Sequence, residues 1–184
     1  PFSTGVIGER LQVEHITNAI PSLVPALSES NWLAAAEGIM TTDTRPKITS
    51  RQFEVDGQSV TITGIAKGAG MIQPNMATLL GYMATDAVMS SAALNESLKS
   101  AAECSFNRIT VDGDTSTNDS CMLTATGASS VACDEGEAAE LFNKALVSLM
   151  QELAHGIVRD AEGATKFVVV HVKGGQSQKD CLSI

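Results

Sequence analysis

The dipeptide Asp56-Gly57 is the tightest local constraint on what this chain can fold into. It stands between two alternating runs, Gln52-Phe53-Glu54-Val55 and Ser59-Val60-Thr61-Ile62-Thr63. A two-residue turn that suits the twist of paired strands needs positive φ at both central residues, which Asp and Gly tolerate. The segment therefore predicts a β-hairpin, with sheet continuing to Ile65.

Around the hairpin the period changes. Residues 11–27 carry apolar side chains at helical spacing, and Ser30 is the expected N-cap of a second helix carrying Trp32, Leu33, Ala36 and Met40. Residues 76–84 are strongly apolar and read as a buried strand, because Pro74 bars a continuous helix just before them. Residues 91–104 and 137–153 repeat apolar side chains every three to four positions, as amphipathic helices do. Between them, residues 120–126 read as a strand. Phe167-Val168-Val169-Val170-His171-Val172 is β-branched enough to predict a central strand. Helices in pairs and strands in pairs, without strict βαβ alternation, predict an α+β layered sandwich in one domain, residues 1–184.

Composition excludes several function classes. At 184 residues, 43% hydrophobic and 18% charged, the chain suits a globular core and not disorder. Its formal net charge of -9, with 12 scattered Lys and Arg, argues against a nucleic-acid partner, which would call for clustered cations. No apolar run is long enough to span a bilayer, and residues 1–8 lack the features of a signal peptide, so no membrane partner is expected. Cys104, Cys121, Cys133 and Cys181 are irregularly spaced without a CxxC pair, which predicts a reducing, cytoplasmic setting. His15, His155 and His171 show no zinc spacing, so no metal site is expected. The absence of an initiator Met and an abrupt last strand suggest a piece of a longer protein.

The stretch with chemical content is Lys67-Gly68-Ala69-Gly70-Met71-Ile72-Gln73-Pro74-Asn75-Met76-Ala77-Thr78-Leu79-Leu80. A glycine-rich turn delivers one threonine hydroxyl at the start of a strand. Local physics alone reads this as structural, since such turns are common and Thr favours strands. A phosphate loop is excluded by order, because Lys67 precedes the glycines and a strand follows where a helix is needed. Likewise, Asp112-Gly113-Asp114 with Asn118-Asp119 lacks the distant Glu of an EF-hand and reads as a structured loop near the site.

This stretch closely resembles the cleavage-site signature of the bifunctional ornithine acetyltransferases, or glutamate N-acetyltransferases, of arginine biosynthesis. Four other segments agree in the same order: Ser3-Thr4-Gly5-Val6-Ile7-Gly8-Glu9, Met40-Thr41-Thr42-Asp43-Thr44, Asp112-Gly113 with Ser116-Thr117-Asn118-Asp119, and residues 159–166. The resemblance implies an α/β/β/α-type sandwich and self-cleavage between Ala77 and Thr78, giving an α-like piece (1–77) and a β-like piece (78–184). It implies Thr78 as nucleophile, Thr4 and Gly5 as the oxyanion hole, and Thr41, Lys67, Thr78 and Glu162 as substrate contacts. The implied substrates are N-acetylornithine and glutamate. No cofactor is implied, although acetyl-CoA is a further candidate acetyl donor. A tetramer of two α and two β chains is also implied, in the cytoplasm, or in mitochondria or plastids of a eukaryote.

The α-amine created by such a cut has a reference pKa of about 7.7–8.0, low enough to take the Thr78 proton without a histidine. Taken alone, Lys67 and Glu162 read as solvated charges, Thr41 as a helix-terminal hydroxyl and Thr4-Gly5 as a turn. Two alternatives remain: a self-processing aminopeptidase of related fold, in which water replaces the amine acceptor, and a non-catalytic truncated homologue. Further family contacts, an Asn and a hydroxyl residue, are expected beyond the end of this sequence.

Overall fold

The structure is a computed structural model that describes residues 8–73, 79–116 and 118–182. The mixed helix and strand content is that of an α+β fold. The chain starts with α1 (Val13–Leu23), a 3-10 turn (Val24–Ala26), a second 3-10 turn (Glu29–Asn31) and α2 (Trp32–Gly38). Ser28, and not Ser30, acts as the cap in this region: its side chain accepts from Ser30 N–H at the start of the second 3-10 turn. The extra 3-10 turn moves the start of α2 past Ser30, and Asn31 at its N-cap makes no side-chain capping bond.

Strands β1 (Lys47–Val55) and β2 (Gln58–Lys67) form the expected hairpin. Asp56 at φ +50° and Gly57 at φ +77° supply the two positive dihedrals, and Val55 pairs with Gln58. The sheet runs two residues beyond Ile65, to Lys67, and this extension carries Lys67 into the interior. Strand β3 (Leu80–Thr85) pairs antiparallel with β2, and β4 (Ser120–Ala125) lies parallel to β3 after a crossover containing α3 (Ser91–Glu103). The order is β1-β2-β3-β4. Ser90 caps α3 by accepting from Ala93 N–H.

The longest helix, α4 (Gly136–Arg159), lays Phe142, Leu146, Leu149, Met150, Leu153, Ala154 and Ile157 on the sheet. These positions recur at helical spacing and share one face. They meet Val60, Ile62, Ala66 and Met83 in a single cluster that also takes in Ala101, Ala102 and Phe106. Gly64 lets the two layers approach: a Cβ there would lie 2.8 Å from Leu149 Cδ2. The helical layer thus covers one sheet face. On the other, the alternation of β-strands and the register place Ile48, Ile65, Tyr82 and Met122 in one row. The described residues form no second sheet on that side.

A second expectation is overturned. Residues 167–172 run alongside α4 without pairing to any strand among the described residues, and Val168, Val169 and Val170 are 71%, 59% and 79% exposed. Phe167 alone is anchored, edge-on to His155 at 5.4 Å and under the Arg159 guanidinium at 4.9 Å. A β-branched run fits a pleated, half-buried surface but does not create one. The chain closes with the short helix α5 (Gln178–Leu182).

Candidate functional site

Three segments distant in sequence converge where β2 ends. Lys67 is the last residue of β2, and its side chain is carried into the interior, with only 3% of the residue exposed. Its Nζ donates to Thr41 Oγ1 at 3.0 Å, on the loop that follows α2. Glu162, just past α4, is tied to the same place by its N–H, which donates to Ala69 O at 2.8 Å. Gly70 leaves the space between them: a Cβ there would sit 3.1 Å from Asp112 Oδ2 and 3.3 Å from Glu162 Oε1. Of the residues marked by sequence, Thr41, Lys67 and Glu162 are therefore brought together. Lys67 is not the solvated charge that its local context suggests, whereas Thr41 and Glu162 are exposed at the rim. Thr4, Gly5, Ala77 and Thr78 lie outside the described residues.

A buried ion network holds this convergence in place. Asp43 Oδ1 accepts from Lys47 Nζ at 2.5 Å and from Gly68 N–H at 2.8 Å, and its Oδ2 accepts from Thr41 N–H at 3.2 Å. Lys47 Nζ also reaches Asp160 Oδ2 at 2.6 Å, and Asp160 accepts from the backbone N–H and the hydroxyl of Thr44. The loop bearing Thr41, the turn after Lys67 and the end of α4 next to Glu162 are thereby locked to one lysine. Burial alone would push the Asp43 carboxyl up. Hydrogen bonds from Gly68, Lys47 and Thr41 outweigh it and leave the carboxyl below the usual carboxylate value. Asp160 is lowered in the same way, burial being overcome by Lys47 and Thr44.

Lys67 is treated differently. Burial pulls its ammonium down from the usual lysine value, Asp43 opposes that shift, and Lys47 adds to it. Asp119 and Glu162 also lend it negative field. A cation held in a site that disfavours its charge gains when a carboxylate arrives, since the charged pair then replaces lost hydration.

Asp119 closes the far side. Its Oδ1 accepts from Leu79 N–H at 2.8 Å, and the next residue, Ser120, donates its N–H to Leu79 O at 3.0 Å. Its Oδ2 is sealed from solvent and has no hydrogen-bond partner among the described residues. Burial raises this carboxyl to about 6, against the pull of Leu79 N–H and Lys67. The loop carrying Asp119 is structured as expected: Asp112 and Gly113 take φ of +67° and +71°, and Asp112 Oδ2 accepts from Met71 N–H at 3.1 Å. Among the described residues, no group of three or more His, Cys, Asp or Glu is placed to hold a metal ion. No helix among them is long and apolar enough to cross a membrane.

Sequence reading quoted the segments holding Asp43, Asp160 and Asp119 but gave none of the three a role. For Asp160 no local signal existed, since its partners Lys47 and Thr44 lie 113 and 116 residues away.

The described part of the site thus gathers a buried lysine, a threonine hydroxyl and a rim carboxylate around Gly70 on an α+β scaffold. Comparison with known proteins gives the family: the ArgJ family model matches residues 1–184, and the chain belongs to that family. It is similar to the arginine biosynthesis bifunctional protein ArgJ of Pseudomonas syringae pv. tomato (54% identical over 187 residues) and of Pseudomonas fluorescens (56% over 187). The protein of that name from Psychrobacter arcticus is 52% identical over 187 residues. Each alignment covers 100% of this chain and 46% of the relative, so the chain spans about half the length of the curated relatives it matches. Among solved structures, the PH0078 protein from Pyrococcus horikoshii OT3 aligns with a TM-score of 0.40 at 16% identity, over 63% of this chain and 40% of that one. That likeness is too loose to carry an argument.

Proposed function

We propose that the whole protein moves an acetyl group from N-acetylornithine to glutamate through an acetyl ester on Thr78, with acetyl-CoA as a second donor. The observation that carries the reading is the juxtaposition of buried Lys67, its partner Thr41 and the rim carboxylate Glu162 at the mouth of the loop that leads to Thr78. Lys67 would pair with the substrate α-carboxylate and Glu162 with an ammonium group, and the hydroxyl of Thr41 would orient the Lys67 amine. The relatives are arginine biosynthesis proteins by name, which supports substrates of this chemistry.

In this reading the Thr78 hydroxyl attacks the Ala77 carbonyl, the peptide bond opens to an ester, and water releases Ala77 as a new carboxylate. The freed α-amine of Thr78 then serves as its own base for acetyl transfer. Thr4 and Gly5 would donate to the oxyanion, with each donor worth roughly 3–4 kcal/mol by analogy with other acyl-transfer sites. The acetyl group rests on Thr78 between donor and acceptor, so exchange follows ping-pong kinetics. The proposed assembly is two copies of each piece.

Intact mass of the full-length protein under denaturing conditions tests this. Two chains with a new N-terminus at Thr78 are expected, and the Thr78→Ala variant should remain one chain and lose acetyl transfer. A wild-type protein that never splits, or a Thr78→Ala variant that still turns over N-acetylornithine, would sink the reading.

A further inference from the structure

Asp43 places both carboxylate oxygens on the backbone around the contact between Thr41 and Lys67. Oδ2 accepts from the N–H of Thr41 at 3.2 Å, and Oδ1 accepts from the N–H of Gly68, the residue after Lys67, at 2.8 Å. The side chains of Thr41 and Lys67 themselves meet at 3.0 Å, with Lys67 Nζ donating to Thr41 Oγ1. These bonds close a ring in which one carboxylate sets the spacing of two backbones, and that spacing sets where the Lys67 ammonium stands. The Asp43 side chain is wholly buried. Fixing the loop to the end of α4 does not by itself call for this ring, since Lys47 already reaches Asp160 at 2.6 Å.

The same carboxylate acts on the charge of Lys67. Four charged groups face that ammonium: Asp43 on the loop after α2, Lys47 at the start of β1, Asp119 before β4 and Glu162 after α4. Burial pulls Lys67 towards losing its proton, and of the groups that oppose this, Asp43 acts most strongly. Asp43 stays an anion throughout the neutral range, because bonds from Gly68, Lys47 and Thr41 outweigh the effect of its own burial.

We propose that Asp43 is a positioning residue for the acetyl donor: acting through Thr41 and Gly68, it fixes the Lys67 ammonium where the donor's α-carboxylate is received, and so makes the site select donors that carry one. This rests on the reading of Lys67 as the partner of that carboxylate. Without the Asp43 charge, Lys67 keeps its burial and its repulsion from Lys47, and it sheds its proton at lower pH.

The test uses the full-length protein and two ligands, N-acetylornithine and N-acetylputrescine, the second being the first without its α-carboxylate. The KM of N-acetylornithine is compared with the inhibition constant of N-acetylputrescine, and their ratio measures the preference for the carboxylate. Asp43→Asn should cut that preference by about 10-fold or more at pH 7, the scale of a lost hydrogen bond to a charged group. The loss should fall on KM and not on kcat, whereas a merely structural role would lower the active fraction, and with it kcat, at an unchanged preference. In the variant the preference should also fade at lower pH than in the wild type, and Asp43→Glu should recover part of it. An Asp43→Asn protein with the wild-type preference overturns the proposal. If that variant fails to fold, the wild type decides over about pH 7 to 8, above the value of about 6 at which Asp119 ionises. Its preference should hold level there, and one that fades, showing Lys67 to lose its proton beside an ionised Asp43, overturns the proposal equally. Lys67→Met, run in parallel, separates the two ideas. A preference intact there removes the reading of Lys67 as carboxylate partner, whereas one lost there but intact in Asp43→Asn removes only the role of Asp43.

Discussion

Asp43, Asp160 and Asp119 are all withdrawn from water, yet the first two sit below the ordinary carboxylate value and the third well above it. The difference is the number of donors. Asp43 receives Lys47 and two backbone N–H groups, and Asp160 receives Lys47 with the N–H and hydroxyl of Thr44, whereas Asp119 receives one N–H and, among the described residues, leaves an oxygen bare. Linkage then gives opposite signs. Asp43 and Asp160 stabilise the fold above the unfolded value, and that contribution is lost as pH falls through their lower folded values. Asp119, raised to about 6 from 3.8, binds its proton more tightly when folded, so its presence favours folding below about pH 4 and costs stability as pH rises towards 6. In an uncleavable Thr78→Ala background, adding Asp119→Asn should therefore raise the melting temperature at pH 7.5. A rise of about 2 °C is expected, modest because partial exposure screens the cost, and it should shrink towards pH 4. A lower melting temperature at pH 7.5 would show the carboxylate to be stabilising. At this scale the sequence told little by itself: Lys67 looked like a surface charge because nothing adjacent reveals that the last residue of β2 turns inward.

At the scale of elements, legibility followed locality. The hairpin and α4 were readable because an Asp-Gly turn and a helical apolar stripe are properties of neighbouring residues. The strand foreseen at residues 167–172 failed because a strand is completed by its partner, and that partner is not encoded in the run. Ser30 failed as a cap because a 3-10 turn displaced the start of the helix. The tie between the start of β1 and the end of α4 was invisible for the same reason as the missing partner, since Lys47 and Asp160 meet only in the folded chain. That tie is expected to be costly to break. Lys47→Met would leave Asp43 and Asp160 buried without their shared cation, and denaturant unfolding should show a loss of about 3–5 kcal/mol. A loss under 1 kcal/mol would mean that the network is not what holds the loop bearing Thr41 to α4.

Over the whole molecule, protection from solvent is uneven. One sheet face is packed by α3 and α4, the row on the other face exposes Ile48 and Met122 while Ile65 is buried, and residues 168–170 extend exposed beside α4. Hydrogen exchange on the 184-residue chain should give slow amides in β2 and β3 and fast ones at 168–170. Slow exchange at 168–170 would mean that those valines find a strand partner after all. The site is legible at this scale in a different sense. Five separated motifs carry the family, and the fold brings Thr41, Lys67 and Glu162 from three of its segments to one place.

The pairing of β2 with β3, from Ile62 opposite Thr85 to Lys67 opposite Leu80, lies across the proposed cut. Val60, Ile62 and Ala66 would then belong to one piece, and Met83, Phe142 and Leu149, which share their core, to the other. Neither piece could close that core alone, so under the proposed cleavage folding would come first and the cut second. Before the cut, the chain regains its fold in a first-order process. Once the chain is cut, recovery from denaturation requires two molecules to meet, and resistance to unfolding comes to depend on how much of the protein is present.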